Sequence, residues 1–327
     1  MGDFSQASSY KQRSLEIRRK TLTSGHPDLA ISWSNLGMLC WQTGNYETAQ
    51  THLQKALKIQ RKALPPEHPD IARTLNNLGM LCWQTGNYET AQTHLQKALK
   101  IQRKALPPEH PDIARTLNNL GLFYRQTQDY PHSLACHQQA LKIQGNALGK
   151  VHPDTAKTWN NLGLLYREIK DHPHSLACHQ QALKIQRQIL PPEHPGIART
   201  LSNLGMLFWQ TGNYKHTRAY LQQALDIWRK ILPPEHPDIT TSLNILAALH
   251  REIEDYEQAQ IYLQQMLANW HKELLSQSVA LTASPRNLQM LHWETGDYEQ
   301  TQPTTSYCWR FSAKRCLTFP VMKQSKK

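Results

Sequence analysis

A His-Pro dipeptide stands at His26, His68, His110, His152, His194 and His236, and every step is 42 residues. A motif held at constant phase means one structural unit copied in tandem, and such units stack to present a surface. An array of this kind counts in units, so the usual length rule for domains does not govern these 327 residues. The copying is literal in one stretch: residues 35–79 recur unchanged as residues 77–121. Tolerance of an added unit fits one-dimensional stacking.

The unit from His68 to Glu109 illustrates the pattern. Pro69 suits a first helical position, where no N–H is needed, and Asp70 suits the positive end of the helix. Ile71, Leu75, Leu78 and Cys82 recur at helical spacing until Gln84-Thr85-Gly86-Asn87, a turn where Gly or Asn adopts left-handed geometry. A second helix begins near Tyr88, with a buried stripe of Tyr88, Ala91, Leu95, Ala98 and Leu99. Pro107-Pro108 stops it and drives Leu106 out of helical geometry. The unit predicts two antiparallel helices of roughly 15 and 19 residues, about 22 and 28 Å long.

Gly79, Ala91 and Ala98 are small residues where helices must approach closely. With Leu75 and Leu78, their spacing resembles the tetratricopeptide repeat. The 42-residue period and the phrases HPDIARTLNNLG and ALKIQRKAL are similar to the kinesin light chain type of that repeat. The resemblance spans His26 to about Leu275 and implies an all-α, right-handed superhelical solenoid of antiparallel helix pairs. Kinesin light chain itself is not implied, because no heptad coiled coil precedes the repeats. Residues 1–25 read as the second helix of a partial repeat, and residues 26–277 as six full repeats. Residues 278–302 read as a degenerate seventh, with Ser278 replacing the histidine and Pro285 inside a helix. Residues 303–327 form a basic tail expected to be disordered, and a chain irregular at both ends fits a fragment of a larger array.

The formal net charge of +12 favours acidic partners. Six cysteines without a CxxC spacing read as reduced thiols, which suggests a cytoplasmic location. No signal peptide is evident, and no run of about 18 apolar residues exists to span a membrane.

Catalytic and metal chemistry finds little support. The phased histidines sit in successive repeats, roughly 10 Å apart at helix-packing distance, too far to share an ion, and read as helix-start signals. His132/Cys136/His137 and His174/Cys178/His179 have helical spacing but no four-ligand set, and His137 occupies the packing position of Leu95. Gly145 to Val151 lacks the spacing and the hydroxyl of a phosphate loop. No cofactor and no enzymatic activity is expected.

The first helices of repeats two to five have a face away from the apolar stripe, and it weakens in repeat one (Ile31, Ser34) and repeat six (Thr241, Ile245). It carries Arg73, Asn76, Asn77, Met80, Trp83 and Gln84, then Arg115, Asn118, Asn119, Leu122, Arg125 and Gln126. Lys157, Asn160, Asn161, Arg167 and Glu168 follow, then Arg199, Asn203 and Trp209. Asn can bond both the N–H and the C=O of an extended peptide, and Arg grips carboxylates with two prongs. The family resemblance implies that this face is concave and that its basic and Asn residues hold peptides with a tryptophan among acidic residues. The resulting expectation is a scaffold for an acidic or aromatic-acidic segment of a partner protein, centred on repeats two to five. Two features stay open: the Asn pairs could serve only to stabilise neighbouring helices, and Trp41, Trp83, Trp209 and Trp293 could be anchors or packing residues. A second reading is nucleic acid or anionic-surface binding by the tail and by a second-helix ridge of Lys55, Lys58, Lys62, Lys97, Lys100 and Lys104.

Overall fold

The computed structural model describes residues 4–273, and these contain thirteen α-helices and no strand. The proposed seventh repeat and the basic tail, with Trp293, Cys308 and Cys316, lie outside the described residues. The chain divides into two compact units, Met1–Ile189 and Leu190–Lys327. The first unit holds α1 (Phe4–Thr21), α2 (Pro27–Gln42), α3 (Tyr46–Ala63), α4 (Pro69–Gln84), α5 (Tyr88–Ala105), α6 (Pro111–Gln126), α7 (Tyr130–Ala147), α8 (Pro153–Glu168) and α9 (His172–Ile189). The second holds α10 (Pro195–Gln210), α11 (Tyr214–Ile231), α12 (Pro237–Glu252) and α13 (Tyr256–Glu273). First helices are 16 residues long and second helices 18. α1 occupies the register of a second helix and packs on α2.

The His-Pro signal is a cap. In the first helix of every repeat, the histidine Nδ1 accepts from the backbone N–H two residues on; Asp70 N–H donates to His68 at 3.2 Å. Proline fills the first helical position between them, where an N–H would have no partner. Accepting at Nδ1 places the proton on Nε2 in each of these imidazoles. Second helices are capped by Asn45, Asn87 and Asn213 or by Asp129 and Asp171, each accepting from the N–H three residues on.

Between the paired helices the turn needs one left-handed residue. Gly44, Gly86 and Gly212 supply it at φ of 80°, 83° and 71°. Repeats three, four and six put Gln128, Lys170 and Glu254 there, at φ of 61°, 63° and 60°, where a Cβ is strained.

The predicted stripe of the first helix is buried at Ile71, Leu75, Leu78 and Cys82, and that of the second at Ala91, Leu95, Ala98 and Leu99. Burying a leucine fully contributes about 1.5–3 kcal/mol. Tyr88 corrects the expectation, because it is 46% exposed. As the first residue of α5 it lies at the end of the helix pair, its ring 6.5 Å from that of Phe123. The crossing point within the pairs of repeats one to five is a glycine, and repeat six has Ala247 there. A Cβ on Gly79 would lie 2.7 Å from Leu95 Cγ, and Gly37 and Gly205 press equally closely on Leu53 and Leu221. In repeats three and four the same niche holds an imidazole: Gly121 lies over His137 and Gly163 over His179.

Candidate functional site

The polar face of the first helices is a hydrogen-bonded ladder. Asn119 donates to the Asn76 carboxamide oxygen at 3.0 Å, and Asn161 donates to that of Asn118 at 3.2 Å. His137 Nδ1 donates to the same Asn118 oxygen at 2.9 Å, and His179 Nδ1 to Asn160 at 2.7 Å. These imidazoles carry the opposite tautomer from the capping histidines, because here the partner is an acceptor. Burial, with the nearby Arg125, pushes the pKa of His137 down to about 4. Burial and Arg167 lower His179 to about 3. Both rings are therefore neutral near pH 7, and the Nε2 atoms of both are buried without a hydrogen-bond partner.

The two asparagines of each pair are thus not equivalent. Asn76 and Asn160 are buried, and Asn118 is half-buried beneath its two donors. Asn77, Asn119 and Asn161 are half-buried and keep part of their hydrogen-bonding capacity toward solvent. Asn203, on α10 in the second unit, is half-buried.

The basic residues also fall into classes. Arg73 pairs with Asp70 at 2.7 Å, Arg115 with Asp112 at 2.9 Å and Lys157 with Asp154 at 3.2 Å. Each acid is three residues earlier, one helical turn away, and exposed pairs of this kind contribute little to stability. They do neutralise the cation. Arg199 has Gly196 in the equivalent place and no ion pair among the described residues. Arg125, with 18% of its side chain exposed, pairs with Glu168 of the next first helix at 2.7 Å. Arg167 is half-buried, and its Nη1 has no hydrogen-bond partner. Burial lowers its pKa, Glu168 opposes that shift, and Arg125 adds to it. Arg125 therefore takes the Glu168 carboxylate and Arg167 has no ion pair among the described residues, leaving a surplus cation on α6 and α8.

Tryptophan occupies the Arg125 position in repeats one, two and five. Trp41 Nε1–H donates to Gln84, whose amide in turn donates to the Tyr46 hydroxyl at 2.7 Å. Trp83 is half-buried against the core shared by repeats two and three, and the Trp209 and Tyr214 rings lie 5.7 Å apart. The His/Cys groups of α7 and α9 diverge, in keeping with the absence of a four-ligand spacing. His132 Nδ1 bonds the Asp129 carboxylate at 2.8 Å, whereas His137 is buried on Asn118. Burial pushes the thiol of Cys136 up to about 11 and that of Cys178 to about 12. Among the described residues no group of three His, Cys, Asp or Glu side chains could hold a metal ion.

The tetratricopeptide repeat model matches residues 1–62, 28–104, 112–188, 154–216 and 196–271. The chain belongs to the tetratricopeptide repeat family. No curated protein matches it. Among solved structures, BtubC (BKLC) from P. vanneervenii is similar at 22% identity, with a TM-score of 0.60 over 71% of this chain and 93% of that one. The nearly identical TPR-like repeats assigned to a kinesin light chain of Podosopora anserina align at 24% identity and a TM-score of 0.55, covering 65% of this chain and 100% of theirs. The tetratricopeptide repeat sensor protein of the STAND ATPase class from Pyrococcus horikoshii reaches a TM-score of 0.69 at 14% identity, over 88% of this chain and 43% of that one. At these identities the likeness establishes the fold: all-α helix pairs of the tetratricopeptide type, with kinesin light chain-like repeats among the neighbours. Among the described residues no helix is long and apolar enough to cross a membrane.

Sequence reading placed Arg73, Arg115 and Lys157 on the polar first-helix face but missed their neutralisation. The signal was present, since Asp70, Asp112 and Asp154 stand three residues earlier. It also treated the asparagines of each pair alike; which of them is buried depends on the neighbouring repeat.

Proposed function

We propose that this tetratricopeptide repeat protein is a non-enzymatic scaffold or adaptor in the cytosol. In this reading the first-helix face of repeats two to four holds an acidic or aromatic-acidic segment of a partner protein. One observation carries it: Arg125 pairs with Glu168, while the half-buried Arg167 has no ion pair, and its Nη1 no hydrogen-bond partner, among the described residues. Such a surplus guanidinium accepts a carboxylate in two-pronged geometry, and partial burial strengthens that contact. Trp83 holds the Arg125 position one repeat earlier, on α4, and the open capacity of Asn77, Asn119 and Asn161 suits an extended backbone. Arg73, Arg115 and Lys157, already paired, add less.

The test is binding of an acidic, tryptophan-containing peptide to the R125Q/R167Q variant. Affinity is expected to fall about tenfold or more and its salt dependence to flatten. The R115Q/K157Q variant is expected to lose less. Unchanged affinity in R125Q/R167Q would remove this face from consideration.

A further inference from the structure

The basic residues of the second helices differ in state although their sequences do not. α3 and α5 are the same eighteen residues, YETAQTHLQKALKIQRKA. In α5, Arg103 donates to Gln139 at 3.1 Å and Lys104 pairs with Glu67 at 2.6 Å. One repeat earlier the Gln139 position holds Lys97, and the Glu67 position holds Gly25. Arg61 and Lys62 of α3 therefore lose both partners. Among the described residues neither they nor Lys58 has an ion pair or a hydrogen bond from its side chain.

These three cations border an open groove of about 470 Å³ between α3 and α5. The buried Leu57 and Leu78 lie at its base, His94 is on its α5 side, and no acidic residue lines it. His94 Nδ1 is buried there without a partner. Burial lowers the pKa of His94, and Lys97 and Arg61 lower it further; no lining residue offsets the positive charge of the groove.

We propose that the groove between α3 and α5 is a second protein-docking site, and that it takes a short acidic segment with aliphatic side chains set among carboxylates. Charge complementarity selects the acid: three unpaired cations within a little over one helical turn can be satisfied by carboxylates without breaking any existing pair. The aliphatic base selects a peptide over a nucleic acid, because no Phe, Tyr or Trp side chain lines the groove as a stacking platform for bases. The site involves other helices than the Arg125–Arg167 pair and stands independently of it.

The experiment uses the full chain and fluorescence anisotropy. The probe is a fluorescein-labelled peptide in which leucines alternate with glutamates and aspartates; a labelled oligouridine is run beside it. The K58Q/R61Q/K62Q variant is expected to weaken peptide binding about tenfold or more. K100Q/R103Q/K104Q removes the same charges from the identical helix one repeat on, and is expected to change affinity by less than about twofold, since those cations are partly satisfied already. R125Q/R167Q is expected to weaken this binding less than K58Q/R61Q/K62Q does, because the probe has no tryptophan. Equal losses in both lysine–arginine variants would mean diffuse ridge charge and overturn the proposal. So would absence of peptide binding, loss confined to R125Q/R167Q, or tighter binding of oligouridine that depends on Lys58, Arg61 and Lys62. All six residues of the two triple variants are surface-exposed, so each variant is expected to keep its helical circular dichroism.

Discussion

Repeat two and repeat three share a backbone and differ in what fills the niche beneath their crossing glycine. Leu95 fills it in repeat two, and His137 fills it in repeat three, equally close to the glycine. A leucine there needs no polar partner. An imidazole needs two and has one, because Nδ1 reaches Asn118 and Nε2 has none. Repeat four copies this arrangement with His179 and Asn160. The same steric solution is thus met three times by a leucine, in repeats one, two and five, and twice by a polar network, which fixes an asparagine of the first-helix face at the cost of a desolvated nitrogen. These two repeats are also the ones that carry Arg125 and Arg167 where repeat two has Trp83.

Acid should separate the repeats most strongly. His137 and His179 fall from an ordinary 6.5 to about 4 and about 3 when folded, so the unfolded chain binds more protons between these values. Their contribution is intact above about pH 6.5 and is lost as pH falls toward the folded values, by about 3 kcal/mol for His137 alone. The H137L/H179L variant makes both repeats resemble repeat two, and its melting temperature should fall less between pH 7 and about pH 4 than that of the parent. An unchanged difference across that range would show that these imidazoles are not the source.

Filling the niche from the glycine side comes next. Gly79→Ala and Gly121→Ala should each destabilise by about 1–3 kcal/mol in urea unfolding. The loss should be larger at Gly121, where the new Cβ would meet a rigid ring at 2.6 Å that is tied to Asn118. A leucine can yield by changing rotamer; a hydrogen-bonded imidazole cannot. Equal losses would mean that the ring is no more constrained than the leucine.

The smallest contrast lies in the turns. Gln128→Gly and Lys170→Gly relieve left-handed strain and should raise stability by up to about 1 kcal/mol. Gly86→Gln in repeat two should lower it by a similar amount, again read from thermal melting.

Much of the fold was legible because the interactions that write it are local. The His68 cap, Pro69, the stripe from Ile71 to Cys82, the Gly86 turn and the Pro107 stop all act within a few residues of one another. Helix boundaries and packing faces follow from them. The candidate site was legible only as a list of residue types on one face. The sequence could not distinguish Asn76 from Asn77, because the donor that buries the first is Asn119, on the following first helix. Nor could the apolar character of Tyr88 reveal that the end of a helix pair leaves its ring exposed.

The clearest division comes from α3 and α5. By itself the sequence determined that both are helices of the same length with the same buried stripe and the same basic C-terminal half. Periodicity, caps and dipole-matched charges are properties of a segment, and identical segments share them. Only the tertiary structure decided that Lys104 is paired and Lys62 is not. Glu67 and Gln139, the partners of α5, belong to neighbouring repeats 36 and 37 residues away from Arg103 and Lys104. Packing alone brings such residues within reach, so the neighbouring repeats leave α3 with unspent charge.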